Sequence, residues 1–553
     1  MMNRTALRHR LSLVSAPGRG REDAASACDH SAAPPRVGYR RHRGYIFIFS
    51  IVVLAILLIL GVMSVTIGVN NMRMSHKKQL YAQSLAAAEA GAWTAKSSLE
   101  AQSTPPTLTL TGSGTLPSGA TYAYTTTPLT PPTGYPWLIR YRVVSTGVAP
   151  EGGSVKAVMQ VRPTNFSKYS YAERIALAGG WMITGMRYNG PVFSNDTLSI
   201  YWDKSTGHPI FGDIVSSAKT SVNWWDASHT PQTTTDWQNI FDAGQTALKL
   251  GVKPLTFPTT SRLQQNRAWV GGLNIASTDT TTSPSPAAPT STGVYINQLN
   301  NYTTPAGVYI VGDCSMTFSV NNGNQEIDFL QGTTTTKMIV NMTTNLTTIQ
   351  KTGDTSATTL TGVPNGVIYC TGNVTSVKGT LADNRVAVDG TGTPIGILAH
   401  NSWTVATNIA ANKTITVTDN LVNNTLPNVN GGPYDPANLK SATLGLYGYT
   451  VQIDGTKPTY NINAIVMAEN GTSGTWQDAN PNYTDSSGHA GNMYLTGGVI
   501  NDTAGLFGHF DSGSGAMTSG HLEHYTYDRR ASLFPPPFFP TTGGYDVDAW
   551  QIF

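Results

Sequence analysis

From Tyr45 to Val69 the chain runs about 25 residues without a charged side chain, in YIFIFSIVVLAILLILGVMSVTIGV, with Arg36, Arg40, Arg41 and Arg43 ahead of it and Arg73 behind. The apolar core of a cleavable secretory signal is roughly 7–15 residues and a membrane-crossing helix needs about 20, so this run predicts a spanning helix. Lys and Arg stay on the cytoplasmic face, which places the N-terminus inside and the body of the chain outside. The helical pattern then continues. Tyr81, Leu85, Ala88, Ala92, Ala95 and Leu99 recur at spacings of four and three, while Glu89, Lys96 and Glu100 fall on another side. Ser103, Thr104, Pro105 and Pro106 stop it. The expectation is one helix over residues 45–101, roughly 85 Å long at about 1.5 Å per residue, apolar all round in its first half and with one face to bury in its second.

Beyond it the period changes from 3.6 to two. ATYAYTTTPL, WLIRYRVVSTG and GSVKAVMQVRP read as strands, with Ile139, Tyr141 and Val143 on one face and Val155, Ala157, Met159 and Val161 likewise. Pro131, Pro132 and Gly134, then Glu151, Gly152 and Gly153, supply the turns. A helix stripe on a three-stranded antiparallel sheet over residues 102–165 makes a small α+β unit. Residues 166–525 carry short apolar bursts after Gly or Asn, among them GPVFSNDTLSI, NGVIYCTGNVTSVKG and LGLYGYTVQIDG. Their spacing is irregular, which fits a β-solenoid with uneven loops, a β-sandwich being the alternative. TTTDWQNIFDAGQTALKLG predicts one short helix, and STDTTTSPSPAAPTST, residues 277–292, a surface loop. Residues 526–553 combine a proline-aromatic stretch with a final strand, YDVDAWQIF.

Composition fits an exported β-rich body. Charged residues make up 12% of the chain, against about 25% in an average domain. Residues 1–44, a basic leader, hold nine Arg and three acids, so the remainder has 26 basic and 29 acidic residues and the formal +3 belongs to the leader. A chain-wide positive field that would draw in nucleic acid is therefore excluded, though a local patch is not. Cys314 and Cys370 are the only cysteines outside the leader. In an oxidising compartment they are a candidate disulfide pair, contributing on the order of 4 kcal/mol; two buried thiols in neighbouring strands are the alternative.

Candidate chemistry is sparse. No G-x-S-x-G elbow, H-E-x-x-H, Gly-rich phosphate loop or C-x-x-C occurs. GHFDSGSGAMTSGHLEHYTYDRR gathers His509, Asp511, His521, Glu523 and His524, and His521 and Glu523 share a face on a strand, but two or three ligands fall short of a dependable zinc site. No metal or cofactor is expected on this basis; acid pairs such as Asp546 and Asp548 leave calcium as a weak alternative. Trp224, Trp225 and Trp403 stand beside polar turns, as in carbohydrate- or base-stacking surfaces, with core filling as the plainer reading.

RGYIFIF followed by an uninterrupted apolar helix, then AAAEAG, then YRVVSTG, resembles the N-terminus of type IV pilin-like proteins, closest to PilX-type minor pilins and K-type minor pseudopilins. The resemblance implies that prepilin peptidase cuts after Gly44, that Tyr45 becomes a methylated first residue, and that the helix polymerises through Phe49, Leu54, Leu58 and Gly61 with other pilins. It also implies residence in the inner membrane before assembly, then on a pilus at the cell surface. Pilins usually carry Glu at the fifth mature position; Phe49 stands there, a feature of some minor pilins at a filament tip. The leader is long for the class, and a start at Val37 would shorten it to eight residues. The C-terminal stretch resembles the large domain following PilX-type helices, in some cases a solenoid inserted into the pilin sheet, so the last strand is expected to return to that sheet. The function implied is assembly plus adhesion or DNA capture, not enzymatic. The rival is an anchored envelope enzyme acting on polysaccharide through a groove with three or more converging acids.

Overall fold

The structure, a computed structural model, describes residues 45–102, 104–131, 136–203, 207–225, 230–271, 279, 281–296, 305–382, 401–424, 442–532 and 534–553. Residues up to His76 form one compact unit and residues from Lys77 onward a second.

Helix α1 spans Tyr45–Glu100 and is long and apolar enough to cross a membrane. In the first unit its side chains are exposed throughout Tyr45–Val65. In the second, Ser84, Ala87, Ala88, Gly91, Ala92, Ala95 and Leu99 are buried, so the expected stripe holds from Ala88 to Leu99, whereas Leu85 is half-buried and Tyr81 exposed. They pack on an antiparallel sheet of β1 (Leu110–Thr115), β2 (Thr121–Leu129), β3 (Arg140–Val148), β4 (Ser154–Asn165) and the C-terminal strand Thr541–Ile552, in that order. The sheet thus has five strands rather than the expected three. The C-terminal strand pairs antiparallel with β4, Val547 opposite Val161 and Trp550 opposite Met159, as expected of a returning strand. Small residues let the helix approach closely, and Ser84 pins it by donating to the Gly153 carbonyl at 3.0 Å and accepting from Ala149 N–H at 3.1 Å.

The region between β4 and the C-terminal strand is β-rich and built on parallel ladders. One ladder runs Val308–Val311, Val367–Cys370, Trp403–Thr407, Leu444–Gly448, then the last halves of Thr459–Ala468 and Gly491–Ala504. There it continues into Tyr171–Ile175, Val192–Ser194, Val215–Ser217 and Leu248–Lys249. The chain therefore enters the stack in its middle: residues 171–249 build away from the entry point, and residues 308–504 return to it from the far end. Register aligns Val308, Ile368, Val405, Leu446, Val466, Val499, Tyr171, Val192, Val215 and Leu248 in one column. Nearly continuous apolar runs are what strands covered on both faces require.

A second parallel ladder joins Cys314–Asn321, Val374–Leu381, Thr414–Asn423, Thr450–Ile453 and Thr475–Asp478. A third joins the first halves of Thr459–Ala468 and Gly491–Ala504 to Met517–Tyr527, Arg187–Tyr188 and Ile210–Phe211. Its inner column stacks Tyr525 on Tyr188 at 5.4 Å, Tyr188 on Phe211 at 5.2 Å and Phe211 on Phe241 at 5.2 Å. An antiparallel meander, Cys314–Asn321 to Asn324–Gln331, Thr334–Asn341, Leu346–Lys351 and Thr358–Thr361, departs from this plan.

The outward column of the first ladder, Tyr309, Tyr369, Ala406, Tyr447, Met467, Ile500, Ala172 and Phe193, is apolar too. Helix α2 (Thr234–Ile240) covers Phe211 elsewhere, while α3 (Arg262–Trp269) and Phe257, Phe538 and Phe539 cover this column. The proline-aromatic stretch is thus a lid: a Cβ on Gly445 would meet Phe539 Cδ2 at 2.6 Å, and one on Gly366 would meet Pro537 Cγ at 2.6 Å. TTTDWQNIFDAGQTALKLG forms α2 with a capping box at Thr233 and Asp236, followed by a separate 3-10 turn, Gly244–Ala247, instead of one helix.

Candidate functional site

Gly44 lies outside the described residues, and Tyr45 begins α1. Phe49, Leu54 and Leu58 are 70, 67 and 66% exposed, and nothing lies within 4 Å of a Cβ built on Gly61. The segment therefore offers a fully apolar, unfilled surface of Phe, Ile, Leu and Val. At about 25 cal/mol per Å² of apolar area, such a surface needs lipid or other protein around it.

Cys314 and Cys370 are buried free thiols, the alternative to the disulfide weighed for them. Cys370 donates to the Gly312 carbonyl at 3.1 Å and Cys314 to the Ser315 carbonyl at 3.3 Å, and burial pushes both thiols up. The thiolate needed for exchange is therefore suppressed.

The five metal-capable residues of the 508–524 stretch are dispersed. His509 is exposed, and Asp511 accepts from Ser514 N–H and Oγ–H within its own turn. His521 is fully buried, its Nδ1 2.6 Å from Asp478 and its Nε2 2.7 Å from the Lys457 carbonyl, between the rings of Tyr460 and Tyr483. Burial opposes its charge most strongly, but the Asp478 carboxylate, the Lys457 carbonyl and the charge of Asp454 together outweigh burial and hold the imidazole above its usual range. Glu523 points inward two residues on, and His524 outward, stacked on Tyr494 at 4.5 Å. Alternation along the strand separates what one-dimensional proximity suggested. Among the described residues no three His, Cys, Asp or Glu gather in a metal-holding group. Asp546 and Asp548 are likewise engaged: Asp546 with Lys168 at 2.7 Å, Asp548 with Arg162 at 3.2 Å and Arg140 at 3.7 Å.

Of the tryptophans singled out, Trp403 is fully buried. Trp224 and Trp225 are half-buried against the core, Trp225 edge-on to Trp181 at 4.9 Å and Trp224 edge-on to Trp237 at 5.8 Å. Core filling is the role the structure gives them.

Two cavities among the described residues bear on function. A cleft of about 660 Å³ lies between the small sheet and the covering segments, lined by Arg140, Arg162, Lys168, Lys253, Trp137 and Phe538 among others. Three of its four cationic side chains are paired with Asp546 or Asp548, so it reads as a seam that fastens the sheet to the ladders.

A second cavity, about 380 Å³, lies where the two runs of ladder strands meet. Two inward-facing acids line it, Glu173 from Tyr171–Ile175 and Glu523 from Met517–Tyr527. Glu173 accepts from Tyr171 Oη–H and Ser194 Oγ–H, each at 2.9 Å, and Glu523 accepts from Tyr525 Oη–H. Burial is the leading cause that pushes Glu173 up to about 6 and Glu523 up to about 7; Asp196 adds to the first and Asp478 to the second. Among the described residues neither acid has a cationic partner. No sequence motif marked this pair, for the two residues lie 350 positions apart. The signal available was an acid two residues from an inward Tyr on each of two strands, Tyr171–Ile175 and Met517–Tyr527.

Comparison of the chain with family models, with curated proteins and with solved structures finds no match.

Proposed function

We propose that this chain is a minor-pilin-like structural component of a type IV pilus or related filament, anchored in the inner membrane before assembly. The observation that carries the reading is the division of α1. Residues 45–65 carry no charge and are exposed on every side, while one face of Ser84–Leu99 is buried on an antiparallel sheet that the strand Thr541–Ile552 completes. A helix with no charge on any face in its first half can exchange lipid for neighbouring helices at small cost, which is what polymerisation from a membrane demands. Prepilin peptidase and other pilins are the partners this requires, and Phe49 in place of the usual glutamate favours a tip position.

The large region is read as a β-solenoid on the strength of its three parallel ladders, inserted between β4 and the last strand and displayed for adhesion or DNA capture. Its role is contact rather than catalysis: neither cavity, among the described residues, brings three acids together as the polysaccharide-enzyme rival requires. The test is N-terminal mass spectrometry of the protein from cells with and without prepilin peptidase. A mature chain beginning at N-methylated Tyr45, seen only with the peptidase, is the expected result. A chain that retains Gly44 in both overturns the reading and leaves a plain anchor.

A further inference from the structure

Away from the interior cavity, the buried His521 and Asp478 of the ladder interior answer each other. The cavity itself is walled by Trp181, Met182, Met186, Tyr188, Trp476 and Phe507 among others. Into this apolar surround Glu173, 4% exposed, and Glu523, 9% exposed, each turn a carboxyl. Both act on the phenols of Tyr171 and Tyr188, so the two acids share one neighbourhood. No Lys, Arg or His lines the cavity, and none of the described residues forms an ion pair with either acid. Trp476 also lines it, 1% exposed, and its indole N–H has no acceptor among the described residues. Ala178, Gly179 and Leu506, all exposed, give the cavity a mouth.

Buried acids without a cationic partner are costly in their charged form, and packing alone would favour apolar residues there. Anionic groups beside aromatic faces and methionine sulfur form instead the surround that desolvates and holds an organic cation. The volume of about 380 Å³ lies within the range of roughly 300–1,000 Å³ usual for small-molecule sites. We infer that this cavity is a binding site for a small organic cation, with Glu173 and Glu523 as its counter-charges and Trp181, Tyr188 and Trp476 as its aromatic wall. This site is independent of the filament reading and would stand in an anchored enzyme equally well.

The experiment uses the full chain in nonionic detergent and compares choline with its uncharged isostere 3,3-dimethylbutan-1-ol, together with tetramethylammonium and putrescine, by calorimetric titration and thermal unfolding. At about pH 8 choline is expected to bind saturably and raise the unfolding midpoint while the isostere does not, and the affinity should fall at least about tenfold by about pH 5.5 as the carboxyls take up protons. The E173Q/E523Q variant keeps shape and hydrogen-bonding capacity but removes charge, so it should unfold no earlier and lose choline affinity by about tenfold or more. If that variant fails to fold, E523Q alone and the pH dependence of the unsubstituted chain carry the test. Besides Asp478 and Asp196, the groups facing these acids are the phenols of Tyr171, Tyr188 and Tyr525, which burial holds well above their usual range and so neutral across this window. Equal binding of choline and its isostere, undiminished binding by the Gln variant, or no saturable binding of any of the three cations up to about 20 mM overturns the proposal. So does a midpoint raised only by neutral oligosaccharides.

Discussion

At Gly147 a Cβ would lie 2.1 Å from the Ser84 carbonyl oxygen and 2.3 Å from the Ala88 nitrogen, both helix backbone atoms that cannot turn aside. Gly147→Ala should therefore push α1 off the sheet and cost about 1–3 kcal/mol, read as a lower denaturant midpoint at unchanged slope. At Gly91 the obstacles are the Ser145 hydroxyl and the Tyr122 ring, which are side chains, so Gly91→Ala should cost less. The buried acids make stability fall as pH rises. Glu523, held near 7 in the folded chain, keeps its proton from about pH 4.5 to 7 while the unfolded chain loses it. The unfolded state then binds fewer protons, the slope of stability against pH is negative through that window, and it flattens above about 7 for this group. Glu469, pushed to about 10 by burial and the neighbouring Asp502, extends the decline to more alkaline pH. Glu523→Gln should remove its share, leaving the variant more stable at about pH 8 by up to roughly 3 kcal/mol and no different below about pH 4.5. A variant less stable than the parent at about pH 8 would show Glu523 to be satisfied in its charged form.

Elements differ in how far their residues announced them. The helix was legible because its stripe repeats over five turns, and β3 and β4 because Tyr141, Val143, Val155, Ala157, Met159 and Val161 alternate strictly and are all buried. β1 was missed: LTGSGT has no Val, Ile or aromatic residue to set against its two glycines, and a Cβ on Gly112 or Gly114 would meet the rings of Tyr124 and Tyr122. The antiparallel meander was missed although Asn322 and Gly323, both at positive φ, make the two-residue hairpin turn that an Asn-Gly pair signals. The C-terminal strand was legible as a strand and depends on β4 for its pairing. Removing residues 541–553 should strip the Lys156 and Val158 amides of β4, which alternation turns toward the last strand, of protection in hydrogen exchange while leaving those of Leu444–Gly448 unchanged, because the ladder strands keep their own neighbours.

For the whole molecule the unreadable part was order. Local pattern showed that residues 171–175 and 499–503 were strands but could not show that they pair with each other, because ladder register is set by neighbours more than 320 positions apart. The candidate site suffered for the same reason, since Glu173 and Glu523 meet only through that pairing. The insertion itself is cleanly bounded: the Asn165 side chain donates to the Phe539 carbonyl at 2.9 Å and Phe166 N–H to the Pro540 carbonyl at 3.2 Å, so entry and exit lie side by side. Joining Asn165 to Thr541 through a short glycine-rich turn, with residues 166–540 removed, should leave the sheet able to close on α1, with cooperative unfolding and the Trp93–Trp550 stack visible as near-ultraviolet dichroism.

The pairing of Thr541–Ile552 with β4 also sets an order of events. Residues 166–540 must be made before the partner of β4 emerges, so until then the sheet on which α1 rests has an open strand edge beside its helix. The small sheet, begun first, is thereby closed only after the large insertion has been synthesised.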